Sequence, residues 1–515
     1  MIKAKIVGSI HSSPQILSDC SIYETLHVQS IAIKPNPDRV IAQAFLPSHG
    51  ENKLYKVLQY NETVINSLLH NKINIFSKRH QNIWKIIRDN YEEARRFYNF
   101  SEEELNKLSQ AAKDLLGCIY TKEYTPEGAS KFNPSIVIHP DQSNVEKGMV
   151  RVILSFRATG EGHVSSIVFH PAIVDEQGRI ILDTPSNQIE TPDKSYPEYD
   201  RNTLILKLRE IGIYNRYIQD FTNQLPESIN RDLLLKIINH AVFTPGISKK
   251  NITRLDRLLN LAESNFILKF NETLPISSLV IFPSTSRDSH GLEDSRWVRF
   301  IDDEGKTTYY ATYTAYNGTS ILPQLIETTD FKTFNMVTLN GDTVEDKNLA
   351  LFPKKINGKY AMLSRNDGEN LYIMFSDNIH FWHEKTKIEL PNLPWLLMQT
   401  GACAPPIETD EGWLVVIHGV ETFREYSIGA ILFDKDDPSK VKKITEFPVL
   451  NTNVYGRGGY VPNVVYTCGA LVFNKRLVIP FAVGDSYNRV CSLSIDELLQ
   501  NMVAPDSPEI RAYYR

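Results

Sequence analysis

The most crowded polar stretch of the sequence is STSRDSHGLEDSRW, residues 284–297. It sets Arg287, Asp288, His290, Glu293, Asp294 and Arg296 between apolar runs. A solvated loop usually carries its charge on lysine; arginine interleaved with acids beside a strand suits proton transfer and the gripping of a polar substrate. FRATGEGHVSSI (156–167) is a second cluster, with Arg157, Glu161 and His163. Gly160 and Gly162 flank Glu161 and allow close backbone approach. Without a third glycine and a following helix, this is not a dinucleotide fingerprint. A third cluster, DKNLALFPKKINGKYAMLSR (346–365), brings Lys347, Lys354, Lys355 and Arg365. An alternating strand turns half of these to solvent, so an anion site needs two or three to converge. His418 closes an apolar run, with Glu421, Arg424 and Tyr426 just after it. Asp485, in FAVGDS, ends the last clear strand pattern.

These residues need elements to hold them, and the chain has two textures. Residues 54–120 read as helical, with Ile83, Ile86, Ile87, Tyr91, Ala94 and Tyr98 at three- and four-residue steps. Ser101 stands three before Glu104, a capping-box start ahead of Leu105, Leu108, Ala112 and Leu115. A second helical patch covers about 201–242. From about 265 the pattern becomes short apolar or alternating runs rich in aromatic and β-branched residues. Hairpins are expected around Asp303-Glu304-Gly305 and around Asn357-Gly358, the latter a strong two-residue turn signal. Residues 148–183 share this strand texture. The reading is therefore mostly β: a largely helical N-terminal accessory region over 1–140, then a β catalytic domain over 141–515 with a helical insertion at about 195–255. Many short strands suit a propeller, sandwich or barrel, and about 300 residues of β structure suit a five-bladed β-propeller.

Bulk properties narrow the function. The 515 residues are 42% hydrophobic and 23% charged, with a formal net charge of -5. That balance gives no electrostatic case for nucleic acid or for an anionic membrane. Five scattered cysteines without a CxxC pair indicate neither a zinc site nor a disulfide framework, and they fit a reducing compartment. The start, MIKAKIVGSIHSSPQ, lacks the apolar core of a signal peptide. No run is long enough to span a membrane. A cytoplasmic enzyme is expected, with export lacking a classical signal as the alternative.

The ordered motifs GLEDSR, YYATYTAY, ALFPKKINGKY, GWLVVIHGV, YSIGAILFDKDDP and VPNVVYTCGAL resemble glycoside hydrolase family 130, the β-mannoside phosphorylases and β-mannosidases. The likeness is greatest to its long subgroup, which has an added N-terminal region, and covers about residues 148–183 and 280–495. It implies a five-bladed propeller with a central pocket and one aspartate as proton donor in an inverting reaction. That aspartate maps onto Asp294, between Glu293 and Arg296, with Ser295 in place of the family's proline. Lys347 matches the position before the LFP motif, Arg365 the arginine closing the GKY strand, and His418 the histidine of the YHGV motif. These three are the expected phosphate holders. The expected glycan contacts are Arg157, Glu161, His163, Arg287, Asp288, Glu293, Arg296, Tyr426 and Asp485. One departure stands in YGRGGYVPN, where Gly456 and Gly458 replace expected glutamates and Arg457 remains.

Two chemistries follow. A phosphorylase needs an acid and a basic cradle, because inorganic phosphate brings its own nucleophile. An inverting hydrolase needs a second carboxylate as base. Lys347, Arg365 and His418 favour the first; Glu161, Asp288 and Glu421 are candidate bases for the second. Phosphorolysis to mannose 1-phosphate is the preferred expectation, since in the cytoplasm it conserves bond energy. Hydrolysis of β-mannosides is the alternative, and a non-catalytic glycan-binding propeller is a further one, which the intact Asp294 argues against. No cofactor or metal is expected beyond phosphate as co-substrate. The partner is an oligosaccharide or glycoside. The helical region has two candidate roles, capping the propeller rim or holding copies together as a homo-oligomer.

Overall fold

The computed structural model describes residues 23–210, 212–243, 245–452 and 459–514. The extreme N-terminal segment with Cys20, and Gly456, Arg457 and Gly458, lie outside the described residues. Strands are the larger share of the regular structure, and helices gather in the N-terminal region, between Arg201 and Glu263, and after the last strand at Ile495–Asn501 and Pro508–Arg511.

The strands form successive antiparallel ladders. Ser130–Ile138, Val150–Thr159, Ser165–Val174 and Ile180–Leu182 make the first. Gly291–Ile301, Thr307–Tyr316, Ile321–Thr328 and Thr333–Thr338 make the second. A single parallel pairing of Gly291 with Ser165 joins these two. Ala350–Leu351, Tyr360–Ser364, Tyr372–Ser376 and Lys385–Lys387 follow. Gln399–Ala402, Trp413–Val420, Tyr426–Phe433 and Val441–Ile444 form the fourth. In the fifth, Val465–Tyr466, Arg476–Val483 and Tyr487–Ser494 are completed by His27–Val28 from the far end of the chain.

Apolar burial welds each ladder to the next. Phe169 and Trp297 share one core, Val298 and Met374 the next, and Ile373 and Val415 a third. Val416 packs with Ile479, and Val478 and Val490 pack with Val152 and Leu154 of the first ladder. The expected hairpins are present. Thr307 pairs with Ile301 across the 302–306 turn. Asn357 and Gly358 both have positive φ, 50° and 80°, as a type I′ turn requires.

Among the described residues of the N-terminal region there are five helices, Ile83–Tyr98 and Gln110–Ile119 among them. The capping box of Ser101 and Glu104 forms, but its helix stops at Leu105. Ser109 then caps a new one, accepting from the Ala112 amide. The stripe expected to run unbroken from Leu105 to Leu115 is therefore split, because a second serine competes for the backbone. The inserted helices run from Arg201–Glu210 to Lys249–Glu263 around their own apolar core.

A buried ion cluster ties the N-terminal region to the ladders. Glu127 takes the guanidinium of Arg39 and, at 3.0 Å, the Lys131 ammonium. Arg39 also donates to the Ser277 carbonyl. All three side chains of the ion cluster are almost fully buried.

Candidate active site

Asn133 and Asp294, near the starts of their ladders' first strands, and Arg157, Arg365 and Asp485, near or just past the ends of second strands, come towards one place. Two bulges help aim the side chains. The register of Gly291–Ile301 slips between Glu293 and Arg296, and that of Ser130–Ile138 slips between Phe132 and Ser135. Asp294 (φ 56°) and Asn133 (φ 49°) occupy these bulges in the left-handed region. Aspartate and asparagine tolerate that region better than branched residues, and bulges beside active sites re-aim side chains in this way.

Asp294 is surrounded. Asn133 Nδ2 donates to its Oδ1 at 2.7 Å, and Arg157 Nη1 lies 3.6 Å from the same oxygen. Arg157 Nη2 and Lys347 Nζ each reach Glu293 at 2.6 Å, one on either carboxylate oxygen. Arg296 is a brace: it donates to the Asp294 carbonyl at 3.0 Å, the Cys403 carbonyl at 3.1 Å and Tyr466 Oη at 2.8 Å. Asn348 donates to the same tyrosine oxygen at 2.6 Å. His418 lies against Tyr466, its ring stacks on Tyr426, and Cys403 Sγ is 3.6 Å from its Nδ1. Gly401 lies opposite His418, where a Cβ would stand 2.6 Å from the imidazole. Arg365 pairs with Asp346 at 3.2 Å and projects its charge onto His418.

The electrostatics separate the two central aspartates. Burial pushes the Asp294 carboxyl up, but Arg157, Arg296, Lys347 and the Asn133 amide together hold it below its ordinary value. Asp485 also has positive φ. Burial and then the charge of Asp294 push its carboxyl up to about 6, against the pull of Arg157. Burial, helped by Arg365 and Arg296, drives the His418 imidazole well down, so it is neutral at pH 7. Like charges close together pull paired carboxyls apart in this manner.

Of the residues singled out in the sequence, Arg157, Glu293, Asp294, Arg296, Lys347, Arg365, His418, Tyr426 and Asp485 thus come together. Four stand apart from that cluster. Glu161 is exposed beside Lys122, and the His163 ring lies 5.4 Å from that of Tyr460. Asp288 is buried, and its Oδ1 accepts from the Ser284 and Thr285 amides and the Thr285 hydroxyl. Arg287 sits near Arg257 of the inserted helices. Sequence reading missed Asn133, Asn348 and Tyr466. Their signals are faint: an Asn-Pro pair, the neighbour of Lys347, and a tyrosine within VPNVVY.

An acid ringed by cations inside a β framework can act on polar, acid-labile bonds. The comparisons make this specific. The pattern of the family described as β-1,4-mannooligosaccharide phosphorylase matches residues 254–504. A 1,2-β-oligomannan phosphorylase of Thermoanaerobacter sp. is 32% identical over 224 residues, 42% of this chain and 73% of that protein. A β-1,4-mannooligosaccharide phosphorylase of Ruminococcus albus is 32% identical over 221 residues, 40% of this chain and 62% of that protein. Among solved structures, the β-1,2-mannobiose phosphorylase of Listeria innocua with β-1,2-mannobiose aligns at 19% identity and a TM-score of 0.43, covering 74% of this chain and 93% of that one. The chain belongs to glycoside hydrolase family 130.

Proposed function

We propose that this protein cleaves β-mannosides by inverting phosphorolysis, releasing mannose 1-phosphate, at the centre of a five-bladed β-propeller. The propeller reading rests on the five successive ladders, the apolar cores that link each to the next and the last to the first, and the His27–Val28 strand that completes the fifth. The observation that carries the phosphorolytic reading is the fate of the candidate bases. Asp288 is engaged by a turn, Glu161 points outward beside Lys122, and Glu421 lies beside Glu425. The main charges acting on Asp294 are instead the cations Arg157, Arg296 and Lys347, the kind of cradle that phosphate needs.

In this reading Arg157, expected as a glycan contact, joins Lys347 and Arg365 in holding the phosphate, and His418, expected there, faces the sugar instead. A phosphate oxygen attacks the anomeric carbon from the face opposite the leaving group. The glycosidic C–O bond breaks, and Asp294 delivers its proton to the departing oxygen. Asp294 must first hold that proton, although its cations favour the carboxylate. A phosphate dianion set against Arg157 and Lys347 cancels that field, so the co-substrate itself helps protonate the acid. Neutral His418, stacked on Tyr426, forms an uncharged wall suited to a sugar.

A second reading has Asp485, raised to about 6, as the base for attack by water. One assay separates the two: incubation with β-1,2- and β-1,4-linked mannobiose with and without phosphate. Phosphorolysis gives mannose 1-phosphate only when phosphate is present. Free mannose released equally without phosphate would overturn it in favour of hydrolysis.

A further inference from the structure

Adjacent residues in a strand normally face opposite ways. The register slip after Glu293 and the left-handed backbone of Asp294 remove that alternation, so two neighbouring carboxylates meet one guanidinium. Arg157 Nη2 stands 2.6 Å from Glu293 Oε1, and its Nη1 stands 3.6 Å from Asp294 Oδ1. The other oxygen of Glu293 takes the Lys347 ammonium at 2.6 Å. Glu293 is only 7% exposed, and cations occupy both of its oxygens. It was expected as a glycan contact; its carboxylate is turned to the cradle instead.

Arg157 and Lys347 are the two cations assigned above to phosphate, and Glu293 already gives them an anion. Its main chain is held in the ladder opposite Thr314, so the charge stays close when phosphate arrives. Phosphate then binds against a resident negative charge, which weakens its grip. The same charge offsets the field of Arg157, Arg296 and Lys347, which holds the Asp294 carboxyl below its ordinary value. Asp485, from the fifth ladder, is pushed up by Asp294 and Glu293 alike. Arg365 is occupied by Asp346. The other groups that feel Asp294 stay uncharged at pH 7, because burial drives His418 down and Cys403, Cys468 and Tyr466 up.

We propose that Glu293 is a positioning residue, a fixed counter-charge on Arg157 and Lys347 that sacrifices phosphate affinity to keep Asp294 able to hold its proton. The proposal rests on the function proposed above. Its test is the Glu293→Gln protein, read by calorimetric titration with inorganic phosphate and by the pH dependence of kcat for release of mannose 1-phosphate from the mannobiose that the wild type cleaves. The acid must carry its proton, so activity falls on the alkaline side of the profile. Removing the counter-charge is expected to tighten phosphate binding about tenfold and to move the alkaline side down by about one pH unit. A role confined to anchoring Lys347 would instead weaken phosphate binding and leave the profile in place. Adding Glu293→Gln to the Lys347→Met protein is expected to shift both quantities in the same directions. That second pair leaves no ammonium unpaired, and it serves where the single variant does not fold. Phosphate bound no more tightly, or an alkaline side that stays in place, would overturn the role of Glu293 alone. Release of free mannose by the wild type equally without phosphate would overturn the parent reading with it.

Discussion

Three side chains carry distinct expectations at the scale of the residue. Asp294→Asn keeps the Asn133 contact geometry but removes the transferable proton. Phosphate-dependent release of mannose 1-phosphate is expected to fall on the order of 10² to 10⁴-fold. A fall below about tenfold, measured by product formation, would remove Asp294 from the acid role. Because phosphate cancels the cationic field on Asp294, its binding should take up protons from solution. Calorimetry in buffers of different ionisation enthalpy reads this directly, and Lys347→Met should weaken both the uptake and the phosphate affinity. Asp485 gives a pH dependence of the opposite sign from an ordinary acid. Its folded value, about 6, lies above that of an unfolded aspartate, near 3.9. The stability it contributes is full below that lower value and is lost as pH rises through about 6. Asp485→Asn should therefore stabilise the protein at pH 8, by about 2 to 3 kcal/mol at most, and have less effect at pH 5. A thermal melt at the two pH values checks this. At the residue scale the sequence singled out Asp294, Lys347 and His418 by type and motif, and the structure sets them within reach of one another's charge. Asn133 and Tyr466 did not, because asparagine and tyrosine are ordinary strand residues until a bulge or a neighbouring arginine gives them a task.

Elements explain why the site forms where it does. Strand ends are where side chains can converge, and the bulges at Asn133 and Asp294 turn them inward. Gly401 shows how tight the convergence is. Gly401→Ala would place a methyl group 2.6 Å from the His418 ring, which must then shift. A reduced kcat/KM together with a stability loss of roughly 1 to 3 kcal/mol is the expected result, read by steady-state kinetics and a melt. Helices and hairpins were visible beforehand, since the 3.6-residue stripe of Ile83–Tyr98 and the Asn357-Gly358 turn are local signals. The break between Leu105 and Gln110 was not, because Ser101 and Ser109 can each start a helix, and the sequence alone does not rank them. The pairings that join or close ladders, Ser165 with Gly291 and His27–Val28 with Tyr487–Ser494, were hidden, because they link residues far apart in sequence.

At the scale of the molecule, the cluster of Arg39, Glu127 and Lys131 joins three parts of the chain. One carboxylate there serves two buried cations. Glu127→Gln would leave both without a counter-charge, a change expected to cost on the order of 3 to 5 kcal/mol, where loss of an exposed pair such as Lys85–Asp89 would cost less than about 1 kcal/mol. Chemical denaturation of the two variants provides the comparison. The fifth ladder has a further consequence, and it concerns time. His27–Val28 pairs with Tyr487–Ser494, and the amide of Glu24 meets Glu497 across 473 residues of sequence. A strand made early must wait for its partner, and contacts of such long range form slowly. Helices and single hairpins can appear at once, yet Arg157 and Asp485 become neighbours only when the first and last ladders meet. Recovery of catalytic activity after dilution from denaturant should thus lag behind the return of secondary structure, as a late, single event.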